Sequence, residues 1–292
     1  MNIQGFVDLH THGISTYDTR TDDYEDILSM ARVHAKAGTA AILPTIYAGP
    51  VREMRKSLKA ISRAMDAQAK AESKRLGAQI LGAHLEGPFL NPLRCGAMDS
   101  ESFLKPSFSA FRKLVSGYED IVRIITLAPE LPGALKLIGK VTEMGIRVNM
   151  GHSDATFRQA AEAKKAGATG ITHIFNAMRP FHQREPGIAG LGLTDPDVYI
   201  EVIADGVHLH QKVLELIFNH KRLDRLIIVS DSVKGKRTAK GVVYEQGILA
   251  GSVLTIDNVV KRLRRIGIPD AEIIEASTDN PLRYIGMSGS AR

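Results

Sequence analysis

Six short polar motifs close apolar, strand-like runs along this chain. They are Asp8-Leu9-His10-Thr11-His12, His84-Leu85-Glu86-Gly87-Pro88, Gly151-His152-Ser153, Thr172-His173, Asp205-Gly206-Val207-His208 and Ser230-Asp231-Ser232. Six of the ten histidines fall within them. Histidines scattered over a surface would not track strand ends. Metal-ligating residue types at one end of many strands call for a fold that gathers those ends, and a parallel barrel does so.

The rest of the pattern fits that fold. Strand-like runs cover residues 5–12, 39–47, 79–86, 122–127, 147–150, 170–175, 199–204 and 226–229. Helical periodicity falls between them, over 22–37, 51–76, 108–116, 132–144, 154–166 and 210–219. Gly38, Gly145 and Gly167 stand where three of these helices should stop. Two stretches, 87–106 and the residues after 175 through 192, read as long loops, which in compact domains tend to serve function. Eight strands alternating with helices predict a (β/α)₈ TIM barrel, with right-handed crossovers placing all strand C-termini on one face. Residues 242–292 predict a C-terminal extension holding a run at 248–254 and helices near 258–266 and 270–277. One domain over 1–292 is expected, with no second domain and no repeat.

Composition narrows the chemistry. The 292 residues are 44% hydrophobic, ample for one core, and about 250 residues suffice for such a barrel. The lone cysteine, Cys95, excludes an internal disulfide and a cysteine-cluster zinc site, and fits a reducing compartment. Any metal must then use histidine and carboxylate. The formal charge of +6 comes from basic residues spread over helices, with no nucleic-acid module or basic arm. A modest positive surplus suits either a solvated surface or an anionic small molecule such as a sugar phosphate. No run reaches the roughly 18 apolar residues of a membrane span. The start of the chain lacks the charged and apolar regions of a signal peptide, so a cytoplasmic location is expected.

Residues two apart on a strand share a face, which aligns Asp8 with His10 and His12, and His84 with Glu86. Glu86, His152 and His173 offer one oxygen and two nitrogens to a divalent ion. That leaves the open position a catalytic zinc keeps for water, whose pKa it lowers to about 7. His10 and His12 can support a second ion with Glu86 bridging. Asp231 can take a proton from water and pass it to a leaving amine, while His208 can hydrogen-bond a substrate carbonyl or hydroxyl. The sum is metal-assisted hydrolysis of an amide or related bond. Each piece also has a plainer reading. A strand-end histidine can be structural, Asp231 or Asn176 can cap a helix or turn, and Arg184-Glu185 can be a surface ion pair. All six ends being structural would leave many costly buried polar groups on one face.

Longer stretches resemble one family. They are Gly5-Phe6-Val7-Asp8-Leu9-His10-Thr11-His12-Gly13, His84-Leu85-Glu86-Gly87-Pro88-Phe89, Thr126-Leu127-Ala128-Pro129-Glu130 and Gly151-His152-Ser153-Asp154-Ala155-Thr156, followed by Thr172-His173-Ile174-Phe175-Asn176-Ala177-Met178, Arg184-Glu185-Pro186-Gly187, Ala204-Asp205-Gly206-Val207-His208 and Leu249-Ala250-Gly251-Ser252. In this order they resemble the N-acetylglucosamine-6-phosphate deacetylases of the amidohydrolase superfamily. The resemblance implies removal of an acetyl group from an amino sugar phosphate. It implies Glu86, His152 and His173 as metal ligands, with His10 and His12 as the first-strand pair that completes a binuclear site in some members. It implies one or two ions, zinc first, with Fe²⁺, Co²⁺ and Mn²⁺ as alternatives. Asp231 is implied as the catalytic acid and base, and Asn176, Ala177, Asp205, His208, Leu249, Ala250 and Gly251 as substrate contacts. Arg184 matches a phosphate-binding arginine that reaches into a neighbouring subunit, which implies a homodimer.

Three departures bear on the substrate. The family's Gly-Ala-His triplet after strand three reads Gly96-Ala97-Met98, and a thioether cannot donate a hydrogen bond. The flanking sequence is too short for the small β-sandwich the family usually carries, so none is expected. Ser230-Asp231-Ser232-Val233 replaces the commoner Thr-Asp-Ala-Met but keeps the Asp. Two other readings stand beside the deacetylase: an amidohydrolase for a different amide or cyclic amide, and a non-catalytic barrel that binds a sugar phosphate.

Overall fold

The computed structural model describes residues 3, 5–70, 77–236, 241–245 and 247–287. Its centre is eight parallel strands paired in chain order: β1 (Phe6–Thr11), β2 (Thr39–Tyr47), β3 (Ala83–Glu86), β4 (Val122–Leu127), β5 (Arg147–Met150), β6 (Gly170–Ile171), β7 (Tyr199–Ile203) and β8 (Leu226–Val229). The ring joins just past the end of β8. There Thr11 and Ser232 form a parallel bridge, His12 N donates to Ser232 O at 2.7 Å and Asp231 N donates to His10 O at 3.0 Å.

A helix follows each strand: α1 (Tyr24–Lys36), α2 (Val51–Lys70), α3 (Phe108–Val115), α4 (Ala134–Glu143), α5 (Phe157–Ala166), α6 (Gly187–Thr194), α7 (Gln211–His220) and α8 (Ile256–Arg265). Local chemistry sets their ends. The Asp23 side chain accepts from Glu25 N at the start of α1. Thr156 and Gln159 form a capping box on α5, which Gly167 ends at φ 118°. Apolar helix faces and outward strand residues such as Ile42, Leu85, Ile125 and Ile228 form the outer core. A second cluster, including Ala41, Leu43, Ile124, Ile203, Ile227 and Val229, fills the barrel and ends on Leu282 and Tyr284. These two residues come from the C-terminal extension, where Asp270–Ile274, a π-helical turn over Glu275–Asp279 and Asn280–Tyr284 run on from one another. Tyr284 lies at the N-terminal ends of β5–β7: its carbonyl accepts from Arg147 Nε at 2.6 Å and its ring is 4.7 Å from that of Tyr199. The extension thus closes the barrel floor.

Several elements differ from the sequence pattern. The run at 79–86 is broken. Gln79–Ile80 pairs low on β2, β3 pairs high on it, and Gly82 between them approaches Ile121 O so closely that a Cβ would sit 2.3 Å away. The run at 170–175 is regular only over β6, because His173 turns to φ 30°. The loop expected through 192 contains α6, whose Gly-rich sequence hides a helix that is buried along most of its length. The run at 248–254 belongs to a hairpin, β9 (Val242–Glu245) with β10 (Ile248–Ser252), that hangs beside Asp231. Of the helix expected over 51–76, residues 71–76 lie outside the described chain.

Candidate active site

All five expected metal ligands meet at the C-terminal mouth of the barrel. Glu86 Oε1 lies 2.9 Å from His173 Nε2 and 3.1 Å from His152 Nε2, and these two nitrogens are 3.2 Å apart. Glu86 Oε2 lies 3.1 Å from His12 Nε2, which is 3.2 Å from His10 Nε2. Asp231 Oδ1 is 3.5 Å and 3.6 Å from the same atoms of His10 and His12. Two ligand sets share the mouth, Glu86/His152/His173 and His10/His12/Asp231, while a third group, His10/His84/Glu201, lies behind them. Glu86 borders both sets at the mouth, its Oε1 also lying 3.5 Å from His10 Nε2. All six side chains are almost entirely buried.

Supporting hydrogen bonds fix which nitrogen of each ring faces inward. His152 Nδ1 lies 2.8 Å from Arg94 O and His12 Nδ1 lies 3.0 Å from Thr45 O. A carbonyl only accepts, so Nδ1 carries the proton and Nε2 presents its lone pair to the site. His10 Nδ1 donates in the same way to Glu201 Oε2 at 2.9 Å. Lone pairs and carboxylate oxygens packed 2.9–3.6 Å apart repel unless a cation lies among them. Two nitrogens bound tetrahedrally at the usual zinc distance would be about 3.3 Å apart, close to the separations found within each histidine pair. The residues therefore fit a divalent ion.

Without an ion, protons take up part of that task. Burial depresses the His10 pKa, but Glu86, Glu201 and Asp231 outweigh it and hold the ring well above its usual range. Burial also opposes ionisation of Glu86, and His10 and His152 more than offset it, leaving the carboxyl well below its usual range.

The backbone at these ends is unusual. His152, His173 and Asp231 have φ of 47°, 30° and 46°, in the left-handed region that non-glycine residues seldom enter. Such strain persists only where surrounding contacts impose it, and it is concentrated at functional sites. Hydroxyls and carboxylates brace the chain next to two of them, Asp231 and His152. Asp8 accepts from Ser230 Oγ at 2.5 Å, from Ser230 N at 3.2 Å and from His10 N at 3.2 Å. Asp8 thus clasps β1 to β8, and burial pushes its pKa up to about 6. Glu130 ties the loop after β3 to the end of β5, accepting from Asn91 Nδ2, Ser153 Oγ and Asp154 N at 2.6–2.7 Å. His84 shares the mouth but is no ligand, since its nitrogens contact Leu9 O and Thr126 Oγ1.

Above the ligands opens a cavity of about 870 Å³, within the range of small-molecule sites. His208, Asp231, Asn176, Ala177, Leu249 and Ala250 all line it. His208 Nδ1 lies 2.7 Å from Asp205 Oδ2, which leaves Nε2 as the ring's free polar atom. Burial lowers the His208 pKa, but Asp205 and then Asp231 raise it further, so the charged donor form is favoured. Asn176 donates to His173 O and Ile174 O at 3.3 and 3.2 Å, so it braces the turn as well as lining the cavity.

Three expected contacts lie elsewhere. Asp205 sits behind His208 and also accepts from Val207 N and His208 N. Gly251, at φ 146°, packs where a Cβ would meet Asp231 O at 2.9 Å, so it lets the hairpin approach the acid. Arg184 is exposed and does not line this chain's own cavity. Nor is Arg184-Glu185 an ion pair: Glu185 accepts instead from Phe157 N at 2.7 Å and Gly187 N at 3.1 Å.

The sequence reading missed Tyr47 and Arg20. The Tyr47 ring stacks on His12 with centroids 3.7 Å apart, and the Arg20 guanidinium covers its other side at 4.2 Å. Tyr47 ends an apolar strand, so nothing in its local sequence distinguished it from core. Met98 also lines the cavity, and it can offer the substrate a soft apolar contact but no donor.

The sequence profile of the amidohydrolase family matches residues 3–291. The chain belongs to the amidohydrolase family. Within it, the chain is 33% identical to N-acetylgalactosamine-6-phosphate deacetylase of Escherichia coli O157:H7, an alignment covering 97% of this chain and 78% of the relative. It is 32% identical to N-acetylglucosamine-6-phosphate deacetylase of Bacillus subtilis strain 168, over 98% of this chain and 75% of the relative. The crystal structure of N-acetyl-D-glucosamine-6-phosphate deacetylase from Mycobacterium smegmatis superposes with a TM-score of 0.87 at 29% identity, covering 98% of this chain and 78% of that one. A mutant of that enzyme in complex with N-acetyl-D-glucosamine 6-phosphate superposes at 0.88, covering 99% of this chain and 80% of that one.

Proposed function

We propose that this amidohydrolase removes the acetyl group from an N-acetylated amino sugar phosphate, with N-acetylglucosamine 6-phosphate as substrate and glucosamine 6-phosphate and acetate as products. The observation that carries the reading is the convergence of Glu86, His152 and His173 on one point of the cavity, with Asp231 beside them. The names of the relatives supply the substrate class.

Glu86, His152 and His173 would hold the first ion, which we take to be zinc, and His10, His12 and Asp231 a second. A bound divalent ion supplies Lewis acidity, polarising an amide carbonyl and making water acidic near neutral pH. His208, oriented by Asp205, donates a hydrogen bond to a substrate oxygen. Asp231 takes the proton of the water as the water's oxygen bonds to the acetyl carbon. It returns that proton to the nitrogen as the carbon–nitrogen bond breaks, so the amine leaves neutral. Asn176, Ala177, Leu249 and Ala250 shape the space for the sugar. We further propose that the protein is a homodimer in which Arg184 reaches the phosphate in the neighbouring subunit. Its exposure, on the same loop as the 53% exposed Phe181, supports that reading. The free thiol of Cys95 is consistent with a cytoplasmic location.

The test is a substrate panel on metal-replete protein: the 6-phosphates of N-acetylglucosamine and N-acetylgalactosamine, the unphosphorylated sugars, and linear and cyclic non-sugar amides. Acetate release from an acetamido sugar phosphate is expected. A second reading, hydrolysis of another amide, is motivated by Met98. Turnover of a non-sugar amide with none of any acetamido sugar would establish it. Mixing Asp231→Asn with Arg184→Ala protein tests the shared site, since only a dimer with exchanged arginines recovers activity.

A further inference from the structure

Below the ligands a chain of polar side chains runs from the mouth to the barrel floor. Tyr284 OH, on the floor, donates to Asn149 Oδ1. Asn149 Nδ2 donates to Glu201 Oε1 at 2.9 Å and to Thr172 Oγ1 at 3.1 Å. Glu201 Oε2 accepts from His10 Nδ1 at 2.9 Å, and His10 Nε2 points at Glu86, His12 and Asp231. Glu201 is 1% exposed, Asn149 1%, Tyr284 1% and His10 0%. A buried ionised carboxylate costs several kcal/mol unless paired and hydrogen-bonded, so a role for it is to be sought in what it holds. Nothing in the hydrolysis derived above uses Glu201.

We infer that Glu201 is a positioning residue for the second ion: it fixes the tautomer and the angle of His10, and so decides whether His10, His12 and Asp231 can hold one. Three observations support this. The His10 ring is held on its far side by this carboxylate alone among the described residues. Asn149 and Tyr284 in turn fix Glu201, so the strap leaves it little freedom to turn away. The two histidines of the other set take no hydrogen bond from these side chains: His152 is held by Arg94 O at the mouth, and His173 Nδ1 has no partner. The dependence should therefore be confined to one ion. It also gives the C-terminal helices a part in the site, since Tyr284 reaches from the barrel floor towards the ligands through two side chains.

The inference rests on metal binding and not on the identity of the substrate. Its test is therefore a count of ions. The metal-free full chain is titrated with Zn²⁺ and, for its visible absorption, Co²⁺, as wild type, Glu201→Gln and Tyr284→Phe, with thermal melting in chelator as a check on folding. Wild type is expected to take up two equivalents. Glu201→Gln should weaken the second ion by about 10- to 100-fold, the usual effect of removing such a partner, and leave the first unchanged. Tyr284→Phe, which keeps the ring and remains informative if Glu201→Gln fails to fold, should weaken the same ion by a smaller factor. The inference is overturned if wild type binds one equivalent, if both ions weaken equally in a folded variant, or if neither weakens in the variants that fold.

Discussion

The two ligand sets at the barrel mouth are built differently. Glu86, His152 and His173 are aimed from above. The loop after β3 supplies the Arg94 carbonyl, Glu130 pins that loop to β5, and two of the three residues that turn out of their strands at positive φ belong to this set. His10 and His12 are aimed from below and behind, by Glu201 inside the barrel and by Thr45 O on β2. The first set depends on the loop after β3, which is itself anchored by the buried Phe89 and Leu90. The second depends on the barrel interior, where Glu201 holds His10 and is itself held by Asn149. Two carboxylates, Glu86 and Asp231, lie where the two meet.

The largest expected effect comes from breaking both sets at once. Glu86→Gln removes the charge that faces both, so elemental analysis should find both ions lost and turnover should fall by more than about 10⁴-fold, the scale of losing the metal's contribution altogether. Asp231→Asn separates the sets. The ion on Glu86, His152 and His173 should remain while kcat falls by about 10³-fold, within the span typical of a general acid and base. Loss of both ions from Asp231→Asn would show that the sets are not independent.

Acid should act on the buried histidines around β1, the strand that carries His10 and His12. His34 and His84 are fully buried beside β1, the first touching Thr11 Oγ1 and the second Leu9 O. Burial lowers each pKa from 6.5 to about 4. Both rings are neutral in the folded protein down to that pH, whereas the unfolded chain takes up protons from pH 6.5. Their stabilisation is whole above pH 6.5 and is lost as the pH falls towards 4, by about 3 kcal/mol for each histidine. Urea unfolding between pH 7 and pH 4 should show this decline, and His34→Gln should flatten part of it. The smallest effect is expected at His208, which touches neither set: His208→Ala should lower kcat/KM by about 10- to 100-fold, the worth of one hydrogen bond to a charged group, with the metal content unchanged.

Much of the mouth was legible in the sequence, because a histidine or acid that ends an apolar run interrupts its pattern. That signal located Glu86, His152, His173, Asp231 and the first-strand pair, and it implied the barrel. It failed where the pattern is ambiguous. Glu201 lies in Tyr-Ile-Glu-Val-Ile, an alternation that reads as a strand with one wet face, yet in a barrel that second face is the interior. A lone charge on such a strand was the available clue. Tyr284 gave no clue, since its role depends on contacts with residues more than a hundred positions away. The helix α6 was hidden by glycines whose missing side chains admit neighbours. At Gly192, for example, a Cβ would meet Ile171, Ile174 and Ile200 within 3.0 Å. The left-handed turns at His152, His173 and Asp231 are seldom adopted even by histidine and aspartate, which enter that region more readily than most, so only tertiary contacts reveal them.

The most direct measurement is acetate release from N-acetylglucosamine 6-phosphate by protein first stripped with a chelator and then titrated with zinc. No release is expected from the stripped protein, with activity returning as the first equivalent binds and one glucosamine 6-phosphate formed per acetate. Release that survives complete stripping, or none at full occupancy, would contradict a metal-dependent deacetylase at this site.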